Sequence, residues 1–363
     1  MRLTPRRIRR GPLRAAYALL LGLVLTIPLA TAQSSATPAD DRSAAAELPS
    51  SYQWSSGGPV ISPRNGGDVS VKDPTVVRED DGTWHVFMTT ADTAGDWSLT
   101  HTSFSDWSQA ADARQTPLET SSGIGTGYRA APHAFYFAPK DEWYLVYQTG
   151  LPSYSTSKDP GDPSSWSAPK NFQDSMPDIV RQNIGNGHWL DYWVICDDTM
   201  CYLYSADDNG HLYRAETTVG EFPNGFRNTK IDLQDSKNNL FEGEAVYKVQ
   251  GTNTYLLIME AIGSDGRRWY RSFTSEGLNG QWRALADTES NPFARSNNVT
   301  FPGGAWTRDI SHGELVRTGP DQTMTIDPCD LQLLYQGLDP NANGDYSQLP
   351  YRLGLATQTN NSC

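Results

Sequence analysis

Short apolar runs separated by tight-turn residues recur along this chain with a period of roughly 55 to 60 residues, the spacing of a repeat fold. Three units are headed by an acid: Asp73 in SVKDPTVV, Asp191 in HWLDYWVI and Glu242 in NLFEGEAVYK. Each closes on an aromatic, Trp107, Phe226 and Trp282 respectively. Another unit, between the first two, opens at His133 and closes at Trp166. A fifth opens near His312 and has no closing Trp. Runs such as TWHVFMTT, EWYLVYQT, CYLYSA and TYLLIMEA are rich in β-branched and aromatic residues, which suit strands. Asp81-Gly82, Asn209-Gly210 and Asn279-Gly280 offer the positive φ angles that hairpin turns require. No amphipathic helical period of useful length competes. Five meanders, over 73–110, 131–169, 188–229, 241–285 and 311–358, predict an all-β, five-bladed β-propeller. A six-bladed count, with residues 50–68 in an extra blade, is disfavoured because no closing aromatic precedes Asp73.

The chain begins with a basic stretch (MRLTPRRIRRGPLR), an apolar run (AAYALLLGLVLTI) and the small residues Ala30-Thr31-Ala32. That order reads as a secretory signal peptide over 1–32, and so as an extracellular protein. Residues 33–50 are small and polar and read as a disordered lead. Residues 51–363 form the propeller, with no linker that would mark an added module. Loss of the leader's arginines takes the formal charge from −13 to about −19. Such a surface excludes nucleic acid and anionic membrane as partners. A monomer is the default. The four cysteines suggest two disulfides in an exported protein. Cys196 and Cys201 flank DDTM as a cross-hairpin bridge would, and Cys329–Cys363 would pin the C-terminus. No spacing of Cys or His suggests zinc, iron or a redox cofactor.

First strands of propeller blades surround one axis, so Asp73, His133, Asp191, Glu242 and His312 are expected to converge there. Neighbouring carboxylates repel, and at least one is then held protonated near neutral pH. Glycoside hydrolysis uses such a set, with one protonated and one ionised carboxyl. Lys72 adjoins Asp73, and only a bulge would bring both side chains to one face. Its charge would keep Asp73 ionised, as a base requires. Burial of Glu242 among Leu240, Phe241 and Val246 would suit an acid. Glu244 shares that strand face, and spacing alone does not choose between the two.

SVKDPTVV, AAPHAFYFAPKDEWYLVYQ, HWLDYWVICDD, LFEGEAVYK, RWYRSFTSEGLNGQW and LPYRLG resemble the α-L-arabinofuranosidases of glycoside hydrolase family 62, from about Ser51 to the C-terminus. The resemblance implies a five-bladed propeller and an inverting enzyme that removes single arabinofuranosyl branches, α-1,2- or α-1,3-linked, from arabinoxylan and arabinoxylo-oligosaccharides. It implies Asp73 as general base, Asp191 as modulator of the acid's pKa, and Glu242, rather than Glu244, as general acid. Expected pocket residues are Lys72, Trp97, Gln148 and Tyr346, with Tyr270 and Arg271 facing the cleft. Pro177 is expected to shape a loop. The resemblance also implies a calcium ion in the channel near His312, structural or electrostatic in role, and calcium's preference for oxygen leaves most of its shell to water. His133 would narrow that channel or help hold the ion. Two other readings stand beside this one. The first is a related five-bladed glycosidase, a β-xylosidase or endo-arabinanase. The second is a lectin-like propeller that binds hemicellulose without cleaving it.

Overall fold

A computed structural model describes residues 47–361 and Cys363. The signal-peptide expectation over 1–32, and most of the expected 33–50 lead, lie outside the described residues. Five blade sheets, each built on an antiparallel meander, follow one another along the chain, and a two-stranded ribbon, Asp287–Thr288 with Asn291–Pro292, lies outside them. Blade I comprises Asp68–Arg78, Trp84–Asp92, Trp97–Phe104 and Gln115–Pro117. Blade II runs Ala130–Phe137, Glu142–Gln148, Pro152–Ser157 and Lys170–Asn171. Blade III is Leu190–Cys196, Met200–Ala206, His211–Thr218 and Arg227–Gln234. Ala245–Val249, Thr254–Ile262, Arg268–Glu276 and Arg283–Ala284 make blade IV. First strands meet around the centre: that of blade I contacts those of blades II and V, and that of blade III those of blades II and IV.

Each blade is covered on both faces, so its middle strands are buried along both faces instead of alternating. In Trp84–Asp92 every interior residue is buried, whereas the outer strand Arg227–Gln234 is largely exposed. Val77, Phe87, Leu145 and Trp166 pack between blades I and II, and Val71, Val86, Leu334 and Leu353 between blades V and I. One continuous cluster fills the remaining interfaces. Full burial of each such side chain contributes about 1.5–3 kcal/mol.

The fifth blade explains its missing Trp. Its sheet runs Ser311–Leu315, Gln332–Gly337, Arg352–Gln358 and then Trp54–Ser56, from the other end of the chain. Trp54 is buried, and its indole N–H donates to the Phe293 carbonyl at 2.6 Å. Residues 54–56 therefore complete blade V and do not begin a sixth. Both expected disulfides, Cys196–Cys201 and Cys329–Cys363, are present. Asn279-Gly280 is not the positive-φ turn expected. Gly277 takes the positive φ, and a Cβ at Gly280 would run into the Ser275 hydroxyl and crowd the Gly277 carbonyl at 3.1 Å.

The inner strands share one irregularity. Register shifts fall between Lys72 and Thr75, Ala130 and His133, Leu190 and Trp193, and Ser311 and Gly313. At or beside these bulges Asp73, Ala131 and Asp191 take φ of 45°, 49° and 54°, and Gly243 takes 65° just before the inner strand of blade IV. Bulges re-aim side chains, and here they turn the strand ends into the floor of a cleft.

Candidate active site

An open cleft of about 1340 Å³ lies over these bulges, and Lys72, Asp73, Asp191, Glu242, Arg268 and His312 are among the residues that line it. The three acids of the sequence thus meet. His312 Nδ1 stands 3.4 Å from Asp73 Oδ1 and 3.6 Å from Asp191 Oδ2. Burial opposes a charge on this ring, but Asp191 and Asp73 outweigh it and raise the His312 pKa. The Asp191 carboxylate also accepts the Gly243 N–H at 2.9 Å, which ties it to the residue after Glu242. Its own N–H donates to Gln148 Oε1 at 3.0 Å, and the Asp73 N–H to Gln336 Oε1 at 2.9 Å.

Glu242 precedes the first strand of blade IV, where it was expected to lie. Backbone pairing still extends to it: the Glu260 N–H donates to the Glu242 carbonyl at 3.0 Å. Its side chain accepts from Arg268 Nη1 at 2.8 Å. Burial pushes its pKa to about 7, with Glu260 and Asp191 adding and Arg268 opposing. Asp191 is pushed to about 6, again chiefly by burial. Glu244 separates cleanly from Glu242. It lines a small internal cavity with His133 and Trp193, and neither of its carboxyl oxygens has a protein partner. Burial pushes it well above the usual carboxyl range.

The bulge makes Lys72 and Asp73 neighbours in the cleft. Lys72 Nζ lies 3.7 Å from the centre of the Trp97 ring and 3.4 Å from the Tyr346 hydroxyl. Burial, opposed first by Asp73, lowers the Lys72 pKa. Trp97 stands between Tyr128 and Tyr346, with ring centres 6.0 Å away on each side. Tyr128 and Tyr346 are both exposed, so this aromatic wall opens to solvent. Gln148 lines the cleft, but its amide is engaged by Asp191 and Tyr128.

Two cleft residues expected from the sequence are elsewhere. Tyr270 is fully buried, and its hydroxyl bonds the Gly243 carbonyl and the Gly313 N–H behind the site. Arg271 is buried, held by Asp235 and Asp287, and is not among the cleft residues. Residues three apart on a strand face opposite ways, so Arg268, not Arg271, is the arginine of RWYR that reaches the site. Tyr128 and Glu260 were also missed. The exposed Tyr128 sits in a loop with no strand pattern, and Glu260 reads as part of an apolar strand. His133 is not the counterpart of Asp73, because Ala131 holds that bulge position. Its ring stacks on Trp193 at 3.8 Å and bonds the Val194 carbonyl. Pro177 starts the short helix Asp178–Asn183 and is not among the cleft residues.

Calcium takes six to eight oxygen ligands. Among the described residues no group of three His, Cys, Asp or Glu side chains stands together as a metal set. Glu244, whose two carboxyl oxygens lack a protein partner, is a free oxygen donor in the small cavity it shares with His312 and Asp191. An ion there would be held mostly through water, and no step is routed through it.

The glycosyl hydrolase family 62 sequence profile matches residues 53–357. The chain is 45% identical over 313 residues to alpha-L-arabinofuranosidase C of Cellvibrio japonicus, which covers 85% of this chain and 47% of that protein. It thus spans about half the length of that curated relative. The catalytic domain of a Coprinopsis cinerea GH62 alpha-L-arabinofuranosidase superposes with a TM-score of 0.85 at 58% identity, covering 87% of this chain and 100% of that one. PaAbf62A from Podospora anserina, solved with cellotriose, gives 0.84 at 49%, covering 87% and 99%. A GH62 hydrolase solved with xylotriose gives 0.82 at 47%, covering 85% and 98%. A profile match across nearly all of the propeller, joined to these superpositions, makes the chain a member of glycosyl hydrolase family 62.

Proposed function

We propose that this protein is a secreted α-L-arabinofuranosidase that removes single α-1,2- or α-1,3-linked arabinofuranosyl branches from arabinoxylan with inversion. The observation that carries the reading is the meeting of Asp73, Asp191 and Glu242 on the floor of one open cleft. The oligosaccharides bound by two relatives support a β-1,4-linked backbone in that cleft. Two disulfides suit an oxidising compartment.

In this reading Glu242 enters protonated and gives its proton to the glycosidic oxygen. Asp73 takes a proton from a water as that water bonds to the anomeric carbon. The bond to the xylose oxygen breaks on the opposite face, so free arabinose leaves with inverted configuration. Arabinose enters beside Lys72 and Trp97, while the xylan backbone runs past Tyr346 and Tyr128 at the open side. Asp191 holds the Gly243 amide and disfavours a second negative charge on Glu242.

Incubation with arabinoxylan should release free arabinose and no xylose, and NMR of the first product should show the inverted anomer. Binding without any released sugar would instead mark a lectin. Glu242→Gln should lower kcat on arabinoxylan by about 10²–10⁴-fold, the usual worth of a general acid. Near-normal turnover would remove Glu242 from the mechanism.

A further inference from the structure

Glu260 is fully buried in the second strand of blade IV, and every contact of its carboxyl group is with a donor. One oxygen accepts from Arg268 Nη1, the nitrogen that also donates to Glu242 Oε1. The other accepts from the Ser311 hydroxyl at 2.6 Å and the His312 N–H at 2.7 Å. An acceptor-only setting is that of an ionised carboxylate. Arg268 is thus clasped between two carboxyl groups, one facing the cleft and one behind it.

We propose that Glu260 is a positioning residue of the reaction: it shares the charge of Arg268 with Glu242 and fixes the bulge that carries His312. Arg268 is thereby held against Glu242 without forming an exclusive ion pair that would strip the acid of its proton. This rests on the reading of Glu242 as proton donor. Other groups act on Glu242. Asp191 on blade III and Glu244 on blade IV oppose its ionisation. Lys72 on blade I and His312 on blade V favour it. The phenols of Tyr128 and Tyr346 stand at the open side, and the buried Tyr351 packs edge-on against Tyr346. Of all these, Glu260 and Asp191 most strongly favour the protonated form after burial itself, and Arg268 most strongly opposes it.

The test is the pH profile of kcat/KM for two variants that should move it oppositely. Glu260→Gln keeps the shape of the side chain and removes its charge. Arg268 then pairs with Glu242 alone, and the basic limb should fall by about one pH unit, the scale of an added close opposite charge. Arg268→Gln should raise that limb. Both profiles are taken on arabinoxylan, with Glu242→Gln as the control for the acid itself. A basic limb in Glu260→Gln at its wild-type position overturns the proposal, provided Glu242→Gln is inactive. Should Glu242→Gln remain active, the proton-donor reading has failed and not this one alone. If Glu260→Gln does not fold, Arg268→Gln decides: a limb at or below wild type overturns the proposal.

Discussion

In the proposed mechanism Asp191 acts on Glu242 both through the neighbouring backbone and through its charge. Its carboxylate grips the Gly243 N–H, so the backbone beside Glu242 is anchored to the next blade. Its charge also raises the Glu242 pKa. Asp191→Asn removes that charge and makes ionisation of Glu242 easier. The acid is needed protonated, so the basic limb of the rate profile, expected near pH 7 from the Glu242 pKa of about 7, should move to lower pH as kcat falls. A uniform loss of rate with an unmoved limb would leave Asp191 only a structural role. The same scale shows where a motif misleads. RWYR contains the right kind of residue, yet strand alternation sends Arg271 to Asp235 and only Arg268 to Glu242.

At the scale of the element, the bulged inner strand is the unit that builds the site. A bulge frees an N–H from its ladder, and an orphaned buried N–H costs about 1–3 kcal/mol. Each is received by a side chain from the preceding blade. Thr89 takes the Ala131 N–H, Gln148 that of Asp191, Glu260 that of His312 and Gln336 that of Asp73. Between blades III and IV the catalytic candidate Asp191 fills this place itself, by accepting from Gly243. Gln336→Leu should therefore destabilise the fold by about 1–3 kcal/mol in denaturant unfolding. It should also lower kcat more than it raises KM, because Asp73 loses its fixed position while the sugar pocket stays intact. An unchanged kcat would show that the bulge holds Asp73 without this bond.

For the whole molecule, closure of the ring is the cooperative event. Trp54–Ser56 pairs with Arg352–Gln358, and Asn360 caps the joint by accepting the Gln53 N–H and donating to the Ser51 carbonyl. The Cys329–Cys363 bridge, spanning 34 residues, fastens the segment that follows. By chain entropy a loop of that size contributes about 3–4 kcal/mol. Cys363→Ser should lower the unfolding free energy by up to that amount, read by denaturant titration, with activity at low temperature largely kept. Removal of the chain through Ser56 should be far worse, because it exposes the outer edge of blade V and the hydrophobic seat of Trp54. A folded, active product of that truncation would contradict closure by the N-terminal strand.

The sequence by itself determined the number of blades, the strand content and the acids at the heads of the units, since these follow from periodicity and local residue chemistry; it suggested the two cysteine pairs, which the structure settled. Its resemblance to a family put roles on Asp73, Asp191 and Glu242. Only the tertiary structure decided which strand closes the fifth blade, that Glu244 lines a small cavity with His133 and Trp193, and that Arg268 and Glu260 stand behind the acid. Those facts depend on bulges and on contacts between distant blades. A bulge shifts facing by one residue without leaving a mark in the hydrophobic pattern, and a buried carboxylate in an apolar strand shows its purpose only once its partners from other blades are in place.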